Sequence, residues 1–124
     1  MTVEALLDDA RGRLERLTPM AAWNEASGTS LLIDIRSDSQ RERDGVMPGA
    51  TVIPRNVLEW RLDPECPDRD PALAVRGNRV ILICDEGYQS SLAAATLQRF
   101  GLDATDVIGG AQAWKTAGLP LERV

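Results

Sequence analysis

Short runs of branched apolar residues recur along the chain and alternate with segments of helical periodicity. Residues 31–35, 51–53 and 79–83 have the length and composition of strands that are buried on both faces of a parallel sheet. A fourth strand is predicted over residues 105–108, and residues 63–78 show no period and are predicted to form a surface loop. The alternation predicts an α/β domain with a mainly parallel sheet, helices on both faces and right-handed crossovers.

The predicted helices follow from apolar spacing and from end signals. Residues 3–17 carry apolar side chains at helical intervals, so we expect an N-terminal amphipathic helix that packs on a domain formed by residues 18–124. Thr18 and Pro19 supply an N-cap and a first-turn proline for a short helix that ends at residue 26. The other segments with helical spacing are residues 57–62, 90–100 and 112–117.

Composition disfavours several classes of function. The 124 residues carry a net charge of −5, which opposes binding to nucleic acid or to an anionic membrane surface. The chain has no histidine, so it lacks an imidazole for a metal site or a Cys–His pair, and its two cysteines do not make a disulfide framework. It also lacks a long apolar segment and the features of a secretory signal. We therefore expect a cytoplasmic protein without a cofactor or a metal.

Cys84 follows the predicted strand 79–83 and precedes a helix-forming stretch that begins at Ser90. Its thiol therefore lies on a loop at a helix N-terminus, where unpaired N–H groups and the helix dipole favour an anion of sulfur or oxygen. Sheets of this class bind ligands outside the carboxyl ends of their strands. The segments predicted at those ends are residues 34–36, 54–56, 84–89 and 109–110.

Several motifs resemble the rhodanese-like domains in their order and spacing. These are Asp34-Ile35-Arg36, Val46-Met47-Pro48-Gly49-Ala50, Cys84-x-x-Gly87-x-x-Ser90, and Gly109-Gly110-Ala111-x-Ala113-Trp114-x-x-x-Gly118-x-Pro120. The resemblance runs from about residue 18 to the C-terminus. It implies a five-stranded parallel sheet flanked by helices, and a catalytic cysteine that accepts sulfane sulfur as a persulfide and passes it on. Cys84 is the residue that would carry this role.

The resemblance also points to the loop of residues 84–89 as the substrate site. A loop of this length can curl so that several of its N–H groups face the sulfur and form an anion-binding nest. The residues expected to contact substrate are Asp85, Glu86, Gly87, Tyr88 and Gln89. Sulfur transfer needs no positioned base where the thiolate is already populated, which fits a chain without histidine. Related phosphatases and arsenate reductases have a loop one residue longer that is closed by Arg, and the serines after Gln89 disfavour that chemistry.

The loop departs from many active single-domain relatives, which carry basic residues and often Arg at the position of Gln89. Asp85 and Glu86 are acidic instead, and each opposes an anion about as much as a helix N-terminus favours it, about 0.3 to 1 kcal/mol. We therefore expect dianionic thiosulfate to be a poor donor, and a protein or small-thiol persulfide to serve a thiol acceptor better. Arg55 either supplies the missing cation or is a solvated loop residue.

Other candidate residues have a structural interpretation beside the functional one. Asp34 and Arg36 are expected to form a structural pair. Tyr88 and Gln89 either contact substrate or shape the rim of the site. Cys66 is interpreted as an incidental loop thiol rather than as the partner of a disulfide with the loop cysteine. The tryptophans expected in the core are Trp60 and Trp114.

Two functions stay open at this point. The first is a sulfurtransferase or sulfur carrier that acts through a persulfide on Cys84, and the retained thiol favours it. The second is a catalytically inactive rhodanese-fold binding or regulatory module, and the acidic loop favours that one.

Overall fold

The computed structural model describes all 124 residues and contains a four-stranded sheet in which every neighbouring pair is parallel. Its strands lie in the order β2-β1-β3-β4. They are β1 (Leu31–Asp34), β2 (Thr51–Val52), β3 (Arg79–Ile83) and β4 (Asp103–Asp106). The predicted α/β class with a parallel sheet is confirmed.

The family resemblance implied five strands, and the fifth is reduced here to a single bridge. Leu17 pairs in parallel with Val107 beyond the end of β4. The Leu17 amide donates to the Asp106 carbonyl over 3.0 Å, and the Ile108 amide donates to the Leu17 carbonyl over 2.8 Å. Pro19 starts a helix two residues later and has no N–H group, so the pairing cannot continue along the chain. The bridge nevertheless fixes the N-terminal segment, residues 11–17, beside the sheet.

Six helices surround the sheet. They are α1 (Val3–Arg11), α2 (Pro19–Ala26), α3 (Asp38–Asp44), α4 (Leu58–Leu62), α5 (Gln89–Gln98) and α6 (Gly110–Thr116), with a 3-10 turn at Arg55–Val57. Residues 63–78 contain neither helix nor strand, as predicted. None of the helices combines the length and apolar character that crossing a bilayer requires.

Helix α1 is shorter than the helix predicted over residues 3–17. It ends at Arg11, where Gly12 caps it, and packs against α5. The chain then extends, so that Leu14 and Leu17 pack against different core clusters on the two faces of the sheet. Leu14 and Leu17 fit a helical period in the sequence, but they lie in an extended segment. The helix does not continue there because Leu17 pairs with Val107.

Helix α3 was not predicted, because its sequence is polar throughout and has no apolar period. Its start signal is a capping box. The Ser37 side chain accepts from the Gln40 amide, and the Gln40 side chain accepts from the Ser37 amide. A polar helix of this kind depends on its caps and on contacts with the rest of the fold.

Apolar side chains form one core layer on each face of the sheet. Along β3, Val80 and Leu82 belong to the layer covered by α4 and α5, while Ile81 and Ile83 belong to the layer covered by α2 and α6. A strand buried on both faces explains why this segment is apolar without alternation. Because β3 packs against a core layer on each face, the backbone of Cys84, which directly follows it, is held in place.

One of the two tryptophans expected in the core is exposed. Trp114 is fully buried, as predicted, whereas 57% of Trp60 is exposed. Within α4, Leu58 and Leu62 lie four residues apart and fill the core, so the residue midway between them faces the opposite side of the helix.

A charged cluster ties α3 to α6. The Asp44 carboxylate accepts hydrogen bonds from Arg43 at 2.7 Å and from Gln112 at 2.9 Å, and it contacts the Lys115 ammonium at 3.4 Å. The Arg43 guanidinium, followed by the other two donors, holds the pKa of Asp44 well below its usual range, despite an opposing effect of burial. The ionised carboxylate therefore stabilises the fold.

Asp44→Asn tests this cluster because it keeps the shape of the side chain and removes its charge. The pKa is lowered in the folded state, so the stabilisation is complete above the unfolded value of about 3.9 and is lost as the pH falls toward the lower folded value. We expect Tm to fall by about 4 °C at pH 7, for a loss of about 1 kcal/mol, and the difference from the wild type to shrink below about pH 4. Thermal unfolding followed by circular dichroism measures both. A difference that is independent of pH would contradict the assignment.

Candidate active site

Cys84 lies between β3 and the first turn of α5 and is 7% exposed. It lines a cavity of about 390 Å³ that opens at the carboxyl end of the sheet. The other lining residues are Ile35, Arg36, Gln40, Asp85, Glu86, Tyr88 and Gln89. The structure thus brings Cys84 together with four of the loop residues predicted to contact substrate.

The sulfur of Cys84 is held by backbone amides. The Gly87 amide donates to Sγ over 3.2 Å, and the Ser90 amide, in the first turn of α5, donates over 3.4 Å. The thiol itself donates to Ser90 Oγ over 3.2 Å. Two amide donors and a helix N-terminus favour negative charge on the sulfur atom.

The first two carbonyls of the loop are bound by α6. The Ala111 amide donates to the Cys84 carbonyl over 2.8 Å, and the Gln112 amide donates to the Asp85 carbonyl over 3.1 Å. Gly110 makes this contact possible, because a Cβ atom there would lie only 2.5 Å from the Cys84 carbonyl oxygen. The start of α6 therefore holds these carbonyls away from the cavity.

A third loop carbonyl is bound by the N-terminal segment. Arg11 Nη2 donates to the Gly87 carbonyl over 2.7 Å, and Arg16 Nη2 donates to the same oxygen over 3.0 Å. Arg11 also lies over the Tyr88 ring, 5.6 Å from its centroid, in a cation–π arrangement. Two arginines that precede α2 thus bind the loop at the Gly87 carbonyl.

These bound carbonyls determine which way the loop amides face. Every peptide bond is trans, so the N–H of each peptide unit is directed away from its own carbonyl. The amides that share peptide units with the three bound carbonyls belong to Asp85, Glu86 and Tyr88, and none of them donates a hydrogen bond within the protein. The loop consequently offers unpaired N–H groups to an anion or to a second sulfur atom.

A buried polar chain continues from the sulfur into the sheet. Ser90 Oγ donates to Asp106 Oδ2 over 2.7 Å, Ser91 Oγ donates to the same atom over 2.8 Å, and Arg16 Nε donates to Oδ1 over 2.8 Å. Asp106 is fully buried at the end of β4. Sequence reasoning missed Arg16, Ser91 and Asp106, although a carboxylate at the end of a buried strand was an available signal.

The two acidic side chains of the loop differ in their surroundings. Asp85 Oδ1 accepts from Arg43 over 2.7 Å and from Gln112 Nε2 over 2.9 Å, so a neighbouring cation offsets its charge. Glu86 is exposed and makes no ion pair or hydrogen bond through its side chain. Asp85 is therefore paired with a cation, and the uncompensated charge belongs to Glu86.

Arg55 lies in a neighbouring cavity rather than in the Cys84 cavity. Its guanidinium is 2.7 Å from the Glu59 carboxylate, which offsets its charge. The two cavities adjoin, since Ile35, Arg36, Gln40 and Gln89 line both of them. Tyr88 is 59% exposed and lies at the rim.

Asp34 and Arg36 form the expected buried pair. Arg36 Nη2 is 2.8 Å from Asp34 Oδ2, and both side chains are fully excluded from solvent.

Cys66 lines a different cavity together with Trp60 and Phe100. Both cysteines are free thiols.

The sequence comparison decides the family. The family model of the rhodanese-like domain matches residues 18–117, which is most of the chain. The chain belongs to the rhodanese-like domain family. No curated protein sequence matches this rhodanese-like chain.

Solved structures carry the same rhodanese fold. A protein of unknown function from Rhodopseudomonas palustris, described as a possible tyrosine phosphatase, is 33% identical with a TM-score of 0.90, over 98% of this chain and 95% of that one. The polysulfide-sulfur transferase homodimer of Wolinella succinogenes is 22% identical with a TM-score of 0.74, over 98% and 87% of the two chains. A thiosulfate sulfurtransferase from Pseudomonas aeruginosa is 23% identical with a TM-score of 0.70, and the match spans 90% of this chain and 20% of that one.

Gly87→Ala tests whether the loop beside the Cys84 sulfur requires glycine, both for its positive φ and for its close contact with Gly109. Gly87 has φ +86°, and an added Cβ would lie 2.7 Å from the Gly109 backbone nitrogen. We expect a loss of about 3 kcal/mol of unfolding free energy, because the clash adds to the strain of a positive φ. Denaturant unfolding measures this loss.

Gly77→Ala is the matched control, since Gly77 has φ +84° and open space around the added Cβ. It carries the φ strain alone and should cost about 1 kcal/mol. Equal losses in the two variants would show that contact between the loop and Gly109 is unimportant.

Proposed function

We propose that this rhodanese-like protein is a cytoplasmic sulfurtransferase or sulfur carrier that moves sulfane sulfur through a persulfide on Cys84. The observation that carries the proposal is the pair of amide hydrogen bonds from Gly87 and Ser90 to the Cys84 sulfur, beside loop amides that have no partner in the protein. Family membership supports the chemical class. Two free cysteines agree with a reducing compartment.

The proposed reaction has two displacement steps. The Cys84 thiolate attacks the terminal sulfur of a persulfide donor, a new S–S bond forms, and the donor thiolate leaves with the electron pair of the broken S–S bond. The thiolate of an acceptor then attacks the outer sulfur on Cys84, takes it as a persulfide, and releases the Cys84 thiolate. No net oxidation occurs, and a proton taken up or released at either thiol is exchanged with solvent. The unpaired amides of Asp85, Glu86 and Tyr88 would hold the charged outer sulfur.

The charges around the cavity favour a persulfide donor over thiosulfate. The loop contributes no basic side chain, Glu86 is unpaired, and Arg55 is bound to Glu59 outside the cavity. A dianion therefore meets net negative charge at the entrance. The sulfur transferases of Wolinella succinogenes and Pseudomonas aeruginosa named above are described with polysulfide and thiosulfate, respectively. Both free inorganic donors are dianions, so the charge argument favours a protein persulfide or a zwitterionic small-thiol persulfide over either of them.

Tyrosine phosphatase activity, which the description of the Rhodopseudomonas palustris relative suggests, is disfavoured by the loop. Phosphate-ester chemistry at a loop cysteine calls for a cation that grips the three phosphoryl oxygens. The position after Gln89 is Ser90 instead, and its hydroxyl is bound to Asp106. Arg36 is the basic residue of the cavity, and its guanidinium is paired with Asp34.

Mass spectrometry of the intact protein tests the proposal. After incubation with cysteine persulfide and removal of excess donor, we expect the wild type to gain the mass of one sulfur atom. Cys84→Ser should gain nothing, whereas Cys66→Ser should behave as the wild type, because Cys66 lies in another cavity. Absence of an adduct on the wild type with cysteine persulfide, polysulfide and thiosulfate would favour an inactive rhodanese-fold binding module.

Glu86→Lys tests the choice of donor. Replacing the unpaired carboxylate by an ammonium group should raise kcat/KM for thiosulfate about fivefold at low salt, and the gain should shrink as salt screens the charge. Glu4→Lys is the matched control, because it changes the net charge equally on α1 and lies outside the cavity. Stopped-assay kinetics with thiosulfate and cyanide measure the effect. A gain of equal size in both variants would refute a local effect of loop charge.

A further inference from the structure

The N-terminal segment, defined here as residues 11–17, precedes the region that the rhodanese family model matches. Two of its arginines nevertheless contact the loop that carries Cys84. Arg11 donates to the Gly87 carbonyl over 2.7 Å, and Arg16 donates to the same oxygen over 3.0 Å. Their contact holds the peptide unit between Gly87 and Tyr88, whose free amide is one of the predicted sulfur ligands.

Arg16 is also connected to the Cys84 sulfur indirectly, through hydrogen bonds of Asp106 and Ser90. Its guanidinium binds both carboxylate oxygens of the fully buried Asp106, over 2.8 Å and 3.2 Å. The Ser90 hydroxyl bridges that carboxylate and Cys84, at 2.7 Å and 3.2 Å. Without a cation, a carboxylate one hydroxyl away from the sulfur would oppose formation of the thiolate. Arg16 is the cation that is bound to this carboxylate.

We infer that Arg16 is a positioning residue of the Cys84 site, which orients the Gly87 peptide unit and neutralises Asp106 so that the thiolate can form. This inference rests on the proposed function, because it assigns Arg16 to the same sulfur chemistry. It places part of the active site in a segment outside the matched family region. Arg11 shares the first of the two tasks and not the second, since it does not contact Asp106.

The other charged groups around Cys84 are paired with an opposite charge or exposed, although Arg36 Nη1 is a buried donor without a hydrogen-bond partner. The loop contributes Asp85, paired with Arg43, the exposed Glu86, and the phenol of Tyr88 at the rim. The end of β1 contributes Arg36, paired with Asp34. The end of β4 contributes Asp106, and the N-terminal segment contributes Arg11 and Arg16. Loss of Arg16 therefore leaves one buried carboxylate near the sulfur without its cation.

Alkylation of Cys84 by iodoacetamide tests the inference directly, because the thiolate is the reacting species and no sulfur donor is needed. A Cys66→Ser background makes Cys84 the single thiol. We expect Arg16→Gln to slow alkylation about tenfold at neutral pH and to move its pH profile to higher pH. Arg13→Gln is the matched control, since Arg13 lies in the same segment, pairs with Asp9 in solvent and does not contact the loop. It should alkylate at the wild-type rate.

A charge-removal experiment separates positioning from a general loss of structure. Asp106→Asn alone should speed alkylation several-fold, because the Arg16 cation then remains without its carboxylate. Adding Asp106→Asn to Arg16→Gln should restore most of the rate that Arg16→Gln lost. Arg11→Gln should slow alkylation less than Arg16→Gln, because the charge on Asp106 stays neutralised.

Several results would overturn the inference. They are an unchanged pH profile in Arg16→Gln, equal slowing in Arg13→Gln, and a double variant no faster than Arg16→Gln. If Arg16→Gln does not fold, Asp106→Asn decides, since it must shift the profile to lower pH, whereas Arg16→Lys keeps the cation and must leave the profile close to that of the wild type. Failure of the proposed function is a separate result: a protein that forms no persulfide with any donor but keeps the Arg16-dependent profile would disprove sulfur transfer alone.

Discussion

The sulfur site depends on the anchoring of loop carbonyls on the outside of the loop. The amides of Ala111 and Gln112 bind the first two carbonyls, and Arg11 and Arg16 bind that of Gly87. Because a trans peptide directs its N–H away from its C=O, anchoring the carbonyls leaves the amides available on the other side. The unpaired amides of Asp85, Glu86 and Tyr88 thus result from contacts made by α6 and by the N-terminal segment. No basic side chain is needed inside the cavity for this arrangement.

Charge around the loop is balanced by pairs of side chains rather than by a single cation. Asp85 is offset by Arg43, and the buried Asp106 is offset by Arg16. Glu86 remains as the unpaired charge at the entrance. This balance leaves the base of the loop able to hold a sulfur anion, and it is the basis for proposing that a doubly charged donor is disfavoured.

The sequence predicted the elements that are specified locally and missed those that depend on distant contacts. β3 was predicted with its observed bounds because a strand buried on both faces is apolar throughout, and α2 was predicted from its Thr18 cap and Pro19. The N-terminal helix was predicted too long because the pairing of Leu17 with the far end of the chain leaves no local signal. Helix α3 was missed because its residues are all polar, so the sequence shows no apolar residues at helical intervals. In the site, Cys84 was found from its motif, whereas the partners of Asp85 and Asp106 come from elements remote in sequence.

We propose above all that backbone amides of the Cys84 loop hold a negatively charged second sulfur. The most direct measurement is a crystal structure of the protein after loading with cysteine persulfide. The account predicts an outer sulfur bound to Cys84 within hydrogen-bond distance of the amides of Asp85, Glu86 or Tyr88, with the Gly87 carbonyl still bound to Arg11 and Arg16. An outer sulfur that points into solvent, or a loop whose carbonyls have turned toward it, would contradict the claim.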